Sequence, residues 1–360
     1  MMESIRQQIL PYYLSEAEIE RTHITEIGRG HINHTWLVQS VECQFVLQKI
    51  NTQVFEQPWT LMHNLQQLHQ CLSDREVRGE YRLRSIGYRQ TLQQESAVEH
   101  PDLGFWRALD YIDNSYSIDV VESAEQAYQA AKAFGHFSAQ ASHLPSSGLI
   151  DVIADFHDLN HRFKQLKTAI DMDVKGRGTA FNALINDVLS QQWLIEDINE
   201  VVIGLPLRVC HNDTKINNLL FDTSSHQVSA VIDLDTCMSG YLMYDFGDMI
   251  RTFCSPMDED SIEYEKVIAR DDIFESVVQG YFSELGDVLT QNERKSLWLG
   301  ALAMPLMLCV RFLTDHLNGD QYFKVKHSKH NIHRAMNQWH LFKSLLKKEQ
   351  GLKKFLFEAK

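Results

Sequence analysis

The sequence predicts an α+β fold in two lobes, an antiparallel β-sheet N-lobe followed by a mainly helical C-lobe, and three observations predict it. β-Favouring residues alternate about a glycine turn between Thr22 and Ile50. Apolar residues recur at three- and four-residue spacing through most of the chain beyond Ser115. One interruption breaks that helical region, where short apolar runs are crowded with aspartate and asparagine. The change of period divides the chain into an N-lobe, residues 1–112, and a C-lobe, residues 113–360, as a length of 360 residues allows.

Taken in order, a first helix is followed by three strands in THITEIG, RGHINHTWLVQS and CQFVLQKI. Pro58 opens a helix with Leu61, Leu65, Leu68 and Leu72 at helical spacing, a proline at the first turn being compatible with helix initiation. Two further strands are expected at Tyr81 to Tyr88 and Gly104 to Tyr111, the second after the turn signal His100-Pro101-Asp102. The C-lobe pattern predicts helices over Ser123 to His143, His157 to Ile170, Thr179 to Val201, Asp271 to Leu285 and Asn292 to Leu317, and one long helix from His330. Between the third and fourth of these lie the β-like runs LRVCHND, NNLLFD and QVSAVIDLD.

Composition excludes several classes. The chain has 44% hydrophobic, 23% charged and 10% aromatic residues with 17 Gly and 7 Pro, near globular averages, so it is neither fibrous nor disordered. Its 34 basic and 48 acidic side chains give a formal charge of −14, which argues against non-specific hold on nucleic acid or an anionic membrane. The apolar stretch Trp298 to Val310 ends at Arg311, short of the roughly 20 residues that span a bilayer, and fits a buried helix. MMESIRQQILPYYL carries early charges and no apolar run before a small-residue cleavage site, so a cytoplasmic protein is expected. Six cysteines without a C-x-x-C pair favour reduced thiols, and 17 histidines without H-E-x-x-H give no metal motif. No obligate protein partner is evident.

The chemistry concentrates in His211-Asn212-Asp213-Thr214-Lys215-Ile216-Asn217-Asn218, of the form H-x-D-x-x-x-x-N. Phosphoryl transfer needs an oriented acceptor hydroxyl, bound Mg²⁺ and neutralised phosphate charge. Asp213 is the candidate to take the acceptor's proton, and the carbonyl oxygen of Asn218 suits Mg²⁺ without adding negative charge. His211 is expected to hold the loop. The apolar strand VSAVIDLD ends in Asp233, where a kinase places its principal metal ligand. The tripeptide Asp245-Phe246-Gly247 lies further on and opens an expected helix without a preceding β run, so it reads as a decoy, with Asp245 or Asp248 bracing the loop or Arg251. Gly28-Arg29-Gly30-His31 is a turn whose backbone N–H groups suit phosphates. It is not a Walker A loop.

These residues resemble the aminoglycoside phosphotransferase and choline kinase family, over nearly the whole chain. GRGHINHTWLV, FVLQKINTQVF, PLRVCHNDTKINNLLFD, VIDLDT, YDFGD and RFLTDHLNGDQYF narrow the resemblance to its N-acetylhexosamine 1-kinase branch. The resemblance implies a protein-kinase-like two-lobed fold and ATP- and Mg²⁺-dependent phosphorylation of the anomeric hydroxyl of GlcNAc or GalNAc. It implies Asp213 as base, Asn218 and Asp233 as Mg²⁺ ligands, and His31, Arg311 and Tyr322 beside Asp213 at the sugar. For the nucleotide it implies Gly28 and Gly30 of the turn, Gln48 of the third strand and, in the connecting segment, Ala108 and Asp110. The N-lobe departs from the kinase pattern: Gln48 stands where the third strand carries lysine, and Lys49 faces the other way by alternation. No carboxylate occurs from Gln57 to Ser73 to complete a Lys–Glu pair, so Lys215 is the candidate cation for the γ-phosphate. Two alternatives stand beside this: a kinase of the same fold acting on choline, homoserine or an aminoglycoside, and a non-catalytic nucleotide-binding regulator. Arg311 in the acceptor site speaks against a cationic acceptor.

Overall fold

The computed structural model describes residues 1–27 and 32–358. The glycine turn with Gly28, Gly30 and His31 lies outside the described residues.

The chain starts with α1 (Met2–Ser4), which runs on through a π-helical stretch and a 3-10 turn to Tyr12, and then α2 (Glu16–Glu20). Strands β1 (His23–Glu26), β2 (His34–Gln39) and β3 (Gln44–Lys49) follow, as the alternation predicts. Helix α3 (Pro58–Val77) has Pro58 in its first turn. Next come β4 (Tyr88–Arg89), β5 (Val98–His100), β6 (Gly104–Asp110) and β7 (Ser115–Tyr116). The antiparallel sheet runs β1-β2-β3-β6-β4, with β5 also on β6. The strand expected over Tyr81 to Tyr88 shrinks to β4, with one isolated bridge from Arg84 to Ala230. At Gly87 the chain lies close to the end of β6, where a Cβ would stand 2.5 Å from Asp110 Oδ2.

Helix α4 (Ala124–Ala141) begins at Ser123, whose Oγ accepts from Gln126 N, and α5 (Leu159–Met172) at Asp158, which accepts from His161 N. The helix expected over Thr179 to Val201 is two, α6 (Asn182–Leu189) and α7 (Trp193–Val202), separated by a 3-10 turn with Gln191 out of helical geometry. Strands β8 (Arg208–Cys210), β9 (Leu219–Asp222), β10 (Val228–Val231) and β11 (Met238–Gly240) carry the Asp- and Asn-rich loops between them, in two small sheets, β10-β9-β7 and β11-β8. The rest is α8 (Leu242–Phe253), α9 (Asp271–Leu285), α10 (Gln291–Asn318), α11 (His330–Lys347) and α12 (Glu349–Glu358). The single C-terminal helix expected from His330 thus breaks at Lys348.

Helix α10 is long and apolar enough to cross a membrane, but 83% of its apolar window is buried inside the protein, so it is a core helix. It crosses α8 at glycines: a Cβ on Gly247 would meet Gly300 O at 2.1 Å, and one on Gly300 would meet Met243 O at 1.9 Å. Gly247 of Asp245-Phe246-Gly247 therefore serves helix contact within α8, not a metal loop.

Two cores result. A small one packs Ile5, Ile9 and Tyr13 of the N-terminal segment on one sheet face, against Trp36, Phe45, Leu47, Trp106 and Ala108. The large one takes Phe105 from the other face and runs through α3 into the helical region without a break.

Candidate active site

The loop after β8 is built by hydrogen bonds its sequence supplies. His211 is fully buried, with Phe134 and Phe137 set against its ring at 5.5 and 5.7 Å. Its Nδ1 accepts from Asp213 N at 3.3 Å, so Nε2 carries the hydrogen and donates to Ile232 O at 3.0 Å. Burial lowers its pKa and keeps the ring neutral. Asp245, from α8, accepts from His211 N and Asn212 N at 2.9 and 2.7 Å, and Thr214 Oγ1 donates to Asp245 O. Burial pushes Asp245 up to about 7 against those two donors. Asn212 is held at a φ of 64°, a left-handed conformation sustained by these contacts and by its Nδ2 bond to Thr236 O. Asp248 pairs with Arg251 at 2.8 Å.

Asp213, Lys215 and Asn218 come together. Lys215 Nζ lies 2.8 Å from Asp213 Oδ1, and Asn218 Nδ2 donates to Asp213 Oδ2 at 3.0 Å and to its backbone O at 2.8 Å. Burial would raise the Asp213 carboxyl, but Lys215, His211 and the Asn218 bond outweigh it and lower the pKa. Lys215 is held protonated by Asp213 and Asp248 against the opposing effect of burial.

Asp233, two residues past the end of β10, is held in a left-handed conformation, φ 59° and ψ 55°. The surrounding protein, then Asp235 and Asp213, push it up to about 7. Asn218 spends its Nδ2 on Asp213 and leaves Oδ1 free, while Asp233 has no hydrogen bond among the described residues. An amide oxygen and an unpaired carboxylate among other carboxylates fit a hard divalent cation that keeps further oxygens from water or phosphate. Among the described residues no cluster of three His, Cys, Asp or Glu forms a closed metal site.

Across from this loop, Thr35, Gln48 and Arg107 form a row on neighbouring strands. Gln48 Nε2 donates to Thr35 Oγ1, and its Oε1 accepts from Arg107. Arg107 is 2% exposed and pairs with Asp235, two residues beyond Asp233. Sequence reasoning missed Arg107; the missing third-strand lysine was the only signal pointing to it. Lys49 lies over the Trp106 ring, on the sheet's other face, as alternation requires. Ala108 turns its methyl into the small core and has Leu47 and Arg89 as register partners on either side, so it stands within the sheet, and the exposed Asp110 accepts from Gly87 N.

Arg311 and Tyr322 stand together, in a cavity whose lining does not include Asp213. They line a cavity of about 550 Å³ between α5, α10 and the loop that follows it. Arg311 sits 5.4 to 5.7 Å from the rings of Phe156, Tyr322 and Phe323, and Nη2 reaches Tyr322 Oη at 3.4 Å. His161, Arg162 and Lys164 share the lining. Asp315, its carboxylate, is spent on Gln321 N, Tyr322 N, Phe323 N and Asn331 Nδ2. That bonding, with Gly319 capping α10 at φ 90°, explains the spacing of D-x-L-x-G-D-x-Y-F. Next to Phe156, His157 Nε2 meets Asn212 O at 3.2 Å, so the cavity wall is tied to the Asp213 loop.

The sequence matches the model of the phosphotransferase enzyme family over residues 23–272, well over half its length. The chain belongs to that family. Its structure is similar to a microcompartment-associated aminopropanol kinase, with 19% identity, TM-score 0.66, and 96% of this chain and 98% of that one covered. It is also similar to an ethanolamine kinase from Plasmodium vivax, at 9% identity and TM-score 0.61 over 97% and 89% of the two chains. A third similar structure is a spectinomycin phosphotransferase in complex with ADP and spectinomycin, at 12% identity and TM-score 0.53 over 94% and 92%. At these identities the likeness concerns fold: the protein-kinase-like arrangement of an antiparallel sheet lobe over a helical lobe. The protein is thus a small-molecule phosphotransferase.

Proposed function

We propose that this phosphotransferase uses ATP and Mg²⁺ to phosphorylate the anomeric hydroxyl of an N-acetylhexosamine, giving the sugar 1-phosphate. Asp213 accepts the hydrogen of the acceptor hydroxyl as its oxygen bonds to the γ-phosphorus, the bond from that phosphorus to the β-γ bridging oxygen breaks, and ADP leaves. Asn218 and Asp233 hold Mg²⁺, which when bound neutralises phosphate charge. Lys215 fixes Asp213 and adds a positive charge beside the transferred group.

The acceptor reading is carried by the cavity at Arg311: its lining has Arg162, Lys164 and Arg311 as cations, and its one carboxylate, Asp315, is already bound by four donors. Such a cavity disfavours an ammonium group and suits a neutral polyol, with Arg311 donating to sugar oxygens and Tyr322 offering a flat face. The motif around Arg311 and Tyr322 that resembles the N-acetylhexosamine 1-kinases supplies the sugar. The second reading, an amino-alcohol acceptor, takes its support from the aminopropanol and ethanolamine kinases of similar fold.

ADP release with GlcNAc, GalNAc, glucose, choline, ethanolamine, homoserine and kanamycin separates them. Turnover on an N-acetylhexosamine, with a 1-phosphate product by phosphorus NMR and loss in Asp213→Asn, is expected. Turnover on an amino alcohol alone overturns the sugar assignment.

A further inference from the structure

We propose that Arg107 is the cation that grips the nucleotide's phosphates, with Asp235 as its ion-pair partner, so that the pair expected from the third strand and the N-lobe helix is built instead from β6 and the loop after Asp233. The proposal rests on the reading of the protein as an ATP-dependent kinase.

The third-strand position offers no charge. Gln48 occupies it, and Lys49 is turned over Trp106 on the opposite face. Arg107 pairs in register with Gln48 on the neighbouring strand, so both side chains leave the sheet on the same face. Its Nε and Nη2 donate to Gln48 Oε1 at 2.9 and 2.7 Å, and Nη2 also reaches Asp235 Oδ1. Nη1, with two N–H donors, has no partner among the described residues. The neutral amide that replaces lysine thus holds an arginine in place.

Asp235 completes the arrangement from below. Its Oδ2 accepts from Asn33 Nδ2 at 2.7 Å, and Asn33 Oδ1 accepts from Asn51 N at 2.9 Å. The sheet is therefore fastened, through Asp235, to the segment that carries Asp233. The side chains of the pair are only 3% and 4% exposed. A buried ion pair contributes little to stability against an apolar replacement, and the unspent Nη1 donors of Arg107, on the side chain that pairs with Asp235 two residues from Asp233, suit phosphate oxygens. The ligand class is the phosphate chain of a nucleoside di- or triphosphate.

The test measures affinity for ATP, ADP and adenosine in the wild type, in Arg107→Met with Asp235→Asn, and in Arg107→Met with Gln48→Lys. The first double variant leaves no unpaired buried carboxylate. It should lose about ten- to a hundredfold in ATP and ADP affinity, with adenosine affinity and near-ultraviolet circular dichroism unchanged. The second should regain part of the loss, because it moves a cation back to the third strand. Unchanged ATP affinity in the first variant, or an equal loss for adenosine, overturns the proposal. A wild-type chain that binds no ATP would instead refute the underlying kinase reading.

Discussion

At Asp213 the burial that would protonate a lone carboxyl is outweighed by Lys215, His211 and Asn218, so the acceptor hydroxyl meets an ionised carboxylate. Such a group orients a hydroxyl and takes its proton late, as the bond to phosphorus forms. Asp213→Asn is expected to lower kcat by about 10²- to 10⁴-fold with little change in nucleotide affinity, measured by steady-state kinetics and ATP titration. Lys215→Met removes the strongest influence holding Asp213 down, so its pKa moves up. The acid limb of the kcat/KM profile should then shift to higher pH, alongside a fall in kcat; an unshifted limb would show that Lys215 does not govern the base. Asp233 has the opposite sign. Raised to about 7, it holds a proton below that pH when no metal is bound, and a cation must displace that proton to bind. Apparent Mg²⁺ affinity should therefore weaken as pH falls below about 7, which Mg²⁺ titrations of activity between pH 5.5 and 8 would register.

Among the elements, β1 to β3, α3, α9 and α10 were legible because each shows one clean period between recognisable turns. The failures share a cause: periodicity does not register backbone contact or a local break. The helix over Thr179 to Val201 keeps its pattern across Gln191 although the backbone leaves the helix there. The loop motif was readable because its bonds are local, whereas Arg107 and Asp235 are partners across the two lobes, and no spacing rule connects them. The α8–α10 crossing was equally hidden, since glycine in a helix looks like a weakness until its neighbour is known. Gly300→Ala places a Cβ 1.9 Å from Met243 O, a backbone atom that cannot swing aside. It should destabilise by about 3 kcal/mol or more, read from the denaturation midpoint. Gly351→Ala in α12, with nothing within 4 Å, should instead stabilise by up to about 1 kcal/mol. Equal effects at the two positions would refute the close crossing.

For the whole molecule, the proposed boundary near residue 112 marks a change of architecture within one continuous core. Leu61, Leu65, Leu68 and Leu72 of α3 belong to the same apolar cluster as α4, α8, α9 and α10. Asn64, buried in α3, bonds Ile150 in both directions and donates to Cys237 O, and Asp235 fastens the sheet from the other side. Detached, residues 1–112 would expose the apolar face of α3 and leave Arg107 without Asp235. The sheet's own small core, on its opposite face, is too few residues to compensate for that loss. Denaturation of the full chain should accordingly be one transition. Trp36 and Trp106 report the sheet, and Trp298 and Trp339 the helical region, so variants keeping one pair or the other should give the same fluorescence midpoint as far-ultraviolet circular dichroism. The isolated fragment 1–112 should lack dispersed amide resonances. Two separated midpoints, or a folded fragment, would show that the lobes are joined by a hinge alone, and the buried links through Asn64 and Asp235 would then carry no cooperativity.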